Sequence, residues 1–207
     1  HPDNITIKYT FKNPWSISKS RKNVLKDDVQ RNALDVFSDA VKAEFKDQEF
    51  IWIANKEEVP TLSHKFGDNE NISSVSHGLN KYVDTHNVAF MAALNPSPAH
   101  QKFLNSLGMT DQQIKNARVN QNIYQSVMRT SIRNINSTSA KTIIVPDFDS
   151  ALYLQSKIPG SEIEQLDSTI KERKHRRGAP PIGVEPMSAN ERQKKCRALK
   201  KAAKSAA

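Results

Sequence analysis

The 207 residues contain a single cysteine, Cys196, set among lysines. One thiol excludes an intramolecular disulfide and fits a reducing compartment, and we read it as incidental. No run of eighteen apolar residues occurs, and the opening HPDNITIKYT lacks the basic and apolar regions of a signal peptide. A cytoplasmic protein with no membrane association is the expectation. His64, His77, His86 and His100 have no tight ligand spacing and no cysteine pair beside them, which argues against zinc. No G-x-S-x-G elbow marks a serine nucleophile, no G-x-x-x-x-G-K-[ST] loop offers a phosphate cradle, and no internal repeat is found.

What is present is ordinary in composition and uneven in charge. With 37% hydrophobic and 26% charged residues, the length suits one domain with appendages. From Lys171 to Ala207 there are twelve Lys and Arg against three Glu, a net of +9, whereas residues 1 to 170 balance at nineteen of each sign. A neutral body with a basic extension is the pattern of a folded domain carrying a polyanion-binding arm. The segment KERKHRRGAPPIG reads as a flexible linker. The segment MSANERQKKCRALKKAAK opens with Ser188 and Glu191 at capping-box spacing and reads as a short helix. Lys174, Arg176, Arg177, Arg192, Lys194, Lys195 and Arg197 are the candidate nucleic-acid contacts there.

Along the body, alternating Ile5, Ile7 and Tyr9 followed by Asn13-Pro14-Trp15 suggest that residues 1–23 form a linker or strand leading into a domain spanning 24–170. Residues 24–45 carry apolar side chains at mostly helical spacing. They precede EFIWIAN, the first of three short apolar runs; NVAFMAAL (Asn87 to Leu94) and TIIVP (Thr142 to Pro146) are the others. These read as strands covered on both faces, alternating with helices near 98–107, 111–133 and 147–157. The class is therefore α/β, a parallel sheet with helices on both faces. Asp147 and Asp149, directly after the third run, suit the cap of the following helix.

Two stretches carry chemistry. In YQSVMRTSIRN, Gln125, Arg129 and Arg133 recur every four residues, which on a continuous helix gives one row of donors beside an apolar stripe. In SVSHGLNKY, Ser76, Gly78 and Asn80 lie close together just ahead of the second apolar run; the glycine permits close approach of a ligand and Asn80 offers a donor and an acceptor. Ligands of open parallel sheets are expected beyond the carboxyl ends of the strands.

In this order the pieces resemble the second, RecA-like domain of a superfamily-two helicase. FIWIANK (Phe50 to Lys56) is similar to that family's motif IV, SHGLNKY to motif V and YQSVMRTSIRN to motif VI. TIIVPDFDSALYL resembles the closing strand and helix, and the likeness covers residues 24–166. It implies that Arg129 and Arg133 reach the terminal phosphates of ATP as arginine fingers with Gln125 orienting them. It also implies that Gly78 and Asn80 border the nucleotide and that Ser76 touches the nucleic-acid backbone. The family pattern spaces its arginines by three after a glycine; here the spacing is four and Met128 precedes Arg129, so which arginine is the finger stays open. DFDS does not read as the metal-holding DEAD-type motif. ATP and Mg²⁺ would be engaged only together with an amino-terminal RecA-like domain, in the same or another chain, that brings the phosphate loop, lysine and metal ligand. The chain opens on His1, and further sequence upstream is expected. The tail resembles basic carboxyl-terminal segments of phage- and plasmid-encoded replication or regulatory proteins. The alternative reading is a noncatalytic DNA-binding protein that kept the fold without the ATPase.

Overall fold

Short runs of β-branched and aromatic residues form five parallel strands, β1 (Ile5–Phe11), β4 (Ile51–Ile53), β5 (Asn87–Phe90), β6 (Lys141–Asp147) and β7 (Glu162–Gln165), joined in the order β4-β5-β6-β1-β7. The computed structural model describes residues 4–74, 80–134 and 136–172. The candidates Ser76 and Gly78, and the basic residues from Lys174 onward with the expected tail helix, lie outside the described residues.

The sheet is covered on both faces, and the period-two geometry of the strands assigns the side chains. Ile51, Ile53, Val88, Phe90, Ile143 and Val145 pack on one face with Val119, Ile123, Val127, Ala151 and Leu154. Trp52, Ala89, Met91 and Ile144 point to the other, with Val36, Phe37, Val41, Leu62 and Phe66. The first helical layer consists of α5 (Asp111–Lys115), a π-helical turn (Asn116–Asn120), α6 (Gln121–Val127) and α7 (Phe148–Lys157). The second consists of α2 (Ala33–Phe45) and α3 (Val59–Phe66). Each fully buried ring or aliphatic side chain contributes about 1.5–3 kcal/mol. This is the α/β architecture, a parallel sheet with helices on both faces, that the pattern of strands and helices indicates.

Three local readings are corrected. The domain does not begin at residue 24: of the linker or strand read over residues 1–23, Ile5–Phe11 is the strand, β1, lying between β6 and β7 in parallel register with both. Residues 24–32 are not helix but the hairpin β2 (Asn23–Lys26) and β3 (Val29–Asn32). Asp27 and Asp28 adopt φ of 50° and 61°, the left-handed pair of a two-residue hairpin turn, and only at Asn32, which caps Leu34 N–H, does the helix start. The helix expected over 111–133 ends at Val127. Thr130 is extended there, at φ −88° and ψ −176°, and starts a 3₁₀ turn, Ser131–Arg133.

At the other end of the domain, Lys171 pairs with Leu25 through the backbone, and Glu172 accepts from Asn13 and forms an ion pair with Lys19 at 2.7 Å. The folded body therefore extends through Glu172. The helix α4 (Pro98–Ser106) is found where it was expected, capped by Ser97. Among the described residues no helix is long and apolar enough to cross a membrane.

Candidate functional site

The carboxyl edge of the sheet, the usual ligand crevice of such folds, is filled by the chain itself. Trp15, 4% exposed, stacks on Phe11 with ring centroids 5.0 Å apart and donates its indole N–H to Met91 O at 2.9 Å. Its backbone N–H donates to Asp147 Oδ2 at 2.7 Å, and Asn95 donates to its carbonyl. The other oxygen of Asp147 caps α7 by accepting from Ser150 N–H and Oγ–H, as the capping reading expected. Asp149 does not share that task; it pairs with Lys115 at 2.8 Å. Asn55, past the end of β4, clamps Ala93 N–H and C=O past the end of β5.

The arginines emerge at the opposite edge, where the strands begin. The apolar side of α6 anchors this corner through Ile123 and Val127, both fully buried. Beyond Val127 the chain turns: Thr130 donates its hydroxyl to Val127 O at 2.7 Å and accepts from Ile132 N–H, so a side chain replaces the next helical hydrogen bond. The 3₁₀ turn that follows is stitched to the residues preceding β5, with Ser131 N–H donating to Thr85 O at 3.0 Å and Ser131 Oγ 2.6 Å from His86 Nδ1. His86 O in turn accepts from Thr142 N–H at the start of β6.

Arg129 thus projects from a turn and Arg133 from the end of the 3₁₀ turn, not from one helical face. The tertiary fold still brings them to the same segment. Arg129 Nη1 lies 3.5 Å from Ser73 O, and Arg133 Nη1 donates to Asn80 Oδ1 at 3.2 Å. Ser73 and Asn80 bracket the serine-glycine stretch singled out in the sequence. Gln125 stays on the exposed side of α6 and forms no hydrogen bond with either arginine. Among the described residues neither arginine has a carboxylate partner. Partial burial lowers the Arg129 guanidinium pKa, opposed by nearby Tyr82, yet a guanidinium stays charged at any physiological pH.

Tyr82 completes the corner. It is buried and donates its hydroxyl to Glu70 Oε1 at 2.8 Å, which also pairs with Lys81 at 2.6 Å. Burial, reinforced by Glu70, raises the phenol pKa and keeps it protonated. Two guanidiniums thus stand at this corner, one beside the Ser73 carbonyl and one on the Asn80 amide, groups of the kind that grip phosphate or carboxylate oxygens.

Two contributors carried little signal in the sequence. Trp15 stood in an Asn-Pro-Trp turn whose destination only the fold reveals. Lys141 opens β6, is 2% exposed, and is unremarkable in a run of β-formers. Among the described residues no three His, Cys, Asp or Glu side chains gather as a metal site would require. The fold and this corner define an α/β domain with a five-stranded parallel sheet and two arginines at its amino edge. No protein family, curated protein or solved structure matches the chain.

Proposed function

We propose that this chain is the second motor domain of an ATP-dependent nucleic-acid helicase or translocase, presenting Arg129 and Arg133 to the terminal phosphates of a nucleotide held by a separate RecA-like domain. What supports this reading is that Arg129 and Arg133, neither with a carboxylate partner among the described residues, lie against Ser73 and Asn80 at the amino edge of a parallel sheet. Arginines that serve only stability or solubility are usually paired with acids or solvated singly. Here Arg129 is half-buried against a backbone carbonyl instead.

The chemistry fits phosphoryl transfer. A guanidinium placed at the leaving or transferred phosphoryl stabilises charge that develops only in the transition state, and such a finger is worth about 10³ to 10⁵ in rate. Asn80 holds Arg133 in position before any ligand arrives. The Trp15 plug supports a division of labour, since it occupies the crevice in which a nucleotide of this chain's own would lie. Mg²⁺, the phosphate loop and the attacking water's orientation belong to the partner domain in this reading. The basic tail adds a sequence-independent hold on DNA or RNA through counterion release.

The test is a paired ATPase assay. The chain alone should show no turnover above background, with or without single-stranded DNA; joined to its amino-terminal motor domain it should gain DNA- or RNA-stimulated turnover. Turnover that stays proportional to the isolated chain through further purification would overturn the division of labour.

A further inference from the structure

Next to the arginine corner, at the amino ends of β1 and β6, lies a cavity of about 260 Å³. Its apolar wall includes Tyr124, Met128 and Ile132, and the charged groups on it are Lys141, Lys157 and Arg133, with no acidic side chain among the described residues. Arg129 and Asn80 do not line it. Lys141 is its distinctive member. The ammonium donates to Ser137 O and Ser139 O, both at 3.1 Å, and has no carboxylate partner among the described residues.

An ammonium taken out of water without a counter-charge destabilises a fold, and at position 141 two neutral carbonyls are its only hydrogen-bond partners among the described residues. The residue opens a β-strand in register with Ile5, where Met or Leu would pack without a charge. Of its three donors, two are used by carbonyls. Lys157 sits exposed at the rim, its Nζ over the Tyr153 ring at 5.5 Å.

We propose that this cavity binds a phosphate monoester carrying a compact planar or apolar body, of the size of one nucleotide unit, with Lys141 as the buried anchor for the phosphate. Three cationic groups without an acid favour a dianion over a monoanion. The apolar wall favours a ligand with a body over a bare hydrated ion. The volume, just under the roughly 300–1,000 Å³ of common small-molecule sites, limits that body to a single nucleotide. A free nucleoside monophosphate and the phosphorylated end of a strand share this chemistry. Arg133 is shared with the motor reading, but the test varies Lys141 and Lys157, which that reading does not use, so the two fail separately.

The experiment uses the full chain and its Lys141→Met and Lys157→Met variants, read by ligand-observed NMR and by thermal shift with AMP, UMP, inorganic phosphate and benzoate. AMP or UMP should bind the parent chain. Lys141→Met should weaken binding roughly tenfold or more, the loss of one charge-assisted hydrogen bond, and Lys157→Met by about threefold. The melting temperature of Lys141→Met should be equal or higher, because a buried charge is removed; a lysine that served only to staple the 137–139 carbonyls would give a lower one. Competition between AMP and a 5′-phosphorylated but not a 5′-hydroxyl oligonucleotide assigns the strand end, and failure of both oligonucleotides to compete assigns the free nucleotide. Four results would each overturn the proposal: no binding of AMP or UMP at 10 mM, on the order of the weakest specific sites; equal binding by Lys141→Met; benzoate binding as well as AMP; or inorganic phosphate binding as well as AMP. Should Lys141→Met not fold, the parent chain and the exposed Lys157→Met decide, and unchanged affinity in the latter counts against it.

Discussion

Asp147 and Trp15 hold each other across the carboxyl edge of the sheet, the carboxylate accepting the Trp15 backbone N–H at 2.7 Å while its second oxygen caps α7. Asp147 is 2% exposed, so its loss strands several donors at once. Asp147→Ala should destabilise the domain by about 3 kcal/mol, combining a lost helix cap with unsatisfied buried groups. Urea denaturation followed by the combined fluorescence of Trp15 and Trp52 measures this. A change under 1 kcal/mol, about the value of a surface substitution, would show that solvent replaces the carboxylate and that the crevice is more open than the packing indicates.

Arg129→Ala and Arg133→Ala, each placed in the assembled motor, should lower ATP turnover by about 10² or more with little change in KM. Lysine should not restore full activity at either position, because it lacks the planar fork. Arg133 is exposed and its removal should leave the melting temperature unchanged. Parental turnover in both alanine variants would make this edge a structural face.

Glu172 offers a test of where the body ends. Burial alone would raise its pKa, but Lys19 and Asn13 outweigh that and lower it. Truncation after Glu172 should leave the melting temperature unchanged, whereas truncation after Ile170 or Glu172→Ala should cost about 2 kcal/mol, since Lys19 is then half-buried without its partner. Equal melting of the two truncations would sink the assignment.

Glu58 and Glu172 give opposite pH signatures. Burial raises the Glu58 carboxyl above its ordinary value of 4.5, Ser20 and a backbone donor only partly offsetting it, and Oε2 is buried with no hydrogen-bond partner among the described residues. The folded state therefore holds this proton to higher pH than the unfolded chain, and stability falls as pH rises from about 4.5 through the raised value. Glu58→Gln should raise stability at pH 7 by up to about 1 kcal/mol and remove that part of the decline. Asp39, Asp167 and Glu172 are lowered; their contribution is present above the ordinary carboxylate range and disappears as pH falls through their depressed values. Chemical denaturation of parent and Glu58→Gln between pH 3 and 8, about the range these groups span, separates the two, and identical curves would refute the Glu58 assignment.

Removing residues 173–207 deletes the entire excess of positive charge counted in the sequence. Nucleic-acid affinity should fall and its salt dependence flatten, from a slope of log K against log salt of roughly −3 to −5 that corresponds to about four to six neutralised phosphates. Binding of single- and double-stranded oligonucleotides across a salt series checks this. An unchanged slope would place the nucleic-acid track on the folded body.

Sequence pattern alone determined the class of this protein. FIWIAN, NVAFMAAL and TIIVP are too short and too uniformly apolar to be anything but strands covered on both faces, and Asp147 announced a cap that the structure contains. Local pattern failed where two conformations share one spacing. Residues 24–32 carry apolar side chains at intervals a helix would use, and the Asp27-Asp28 turn decides for a hairpin. Arg129 and Arg133, four apart, would share a face of an unbroken helix; Thr130 breaks it by offering its own hydroxyl to the backbone. Tertiary structure then placed them by another route, docking Ser131 on Thr85 and His86 while Arg129 meets Ser73 and Arg133 meets Asn80. It also decided which edge of the sheet is available. Asn13-Pro14-Trp15 is a turn in any reading of the chain, but only the parallel pairing of β1 with β6 carries Trp15 into the carboxyl-edge crevice and leaves the arginines, and the buried Lys141 beside them, at the opposite end. Periodicity is a property of neighbours along the chain, whereas these placements depend on contacts between residues 45 to 132 positions apart.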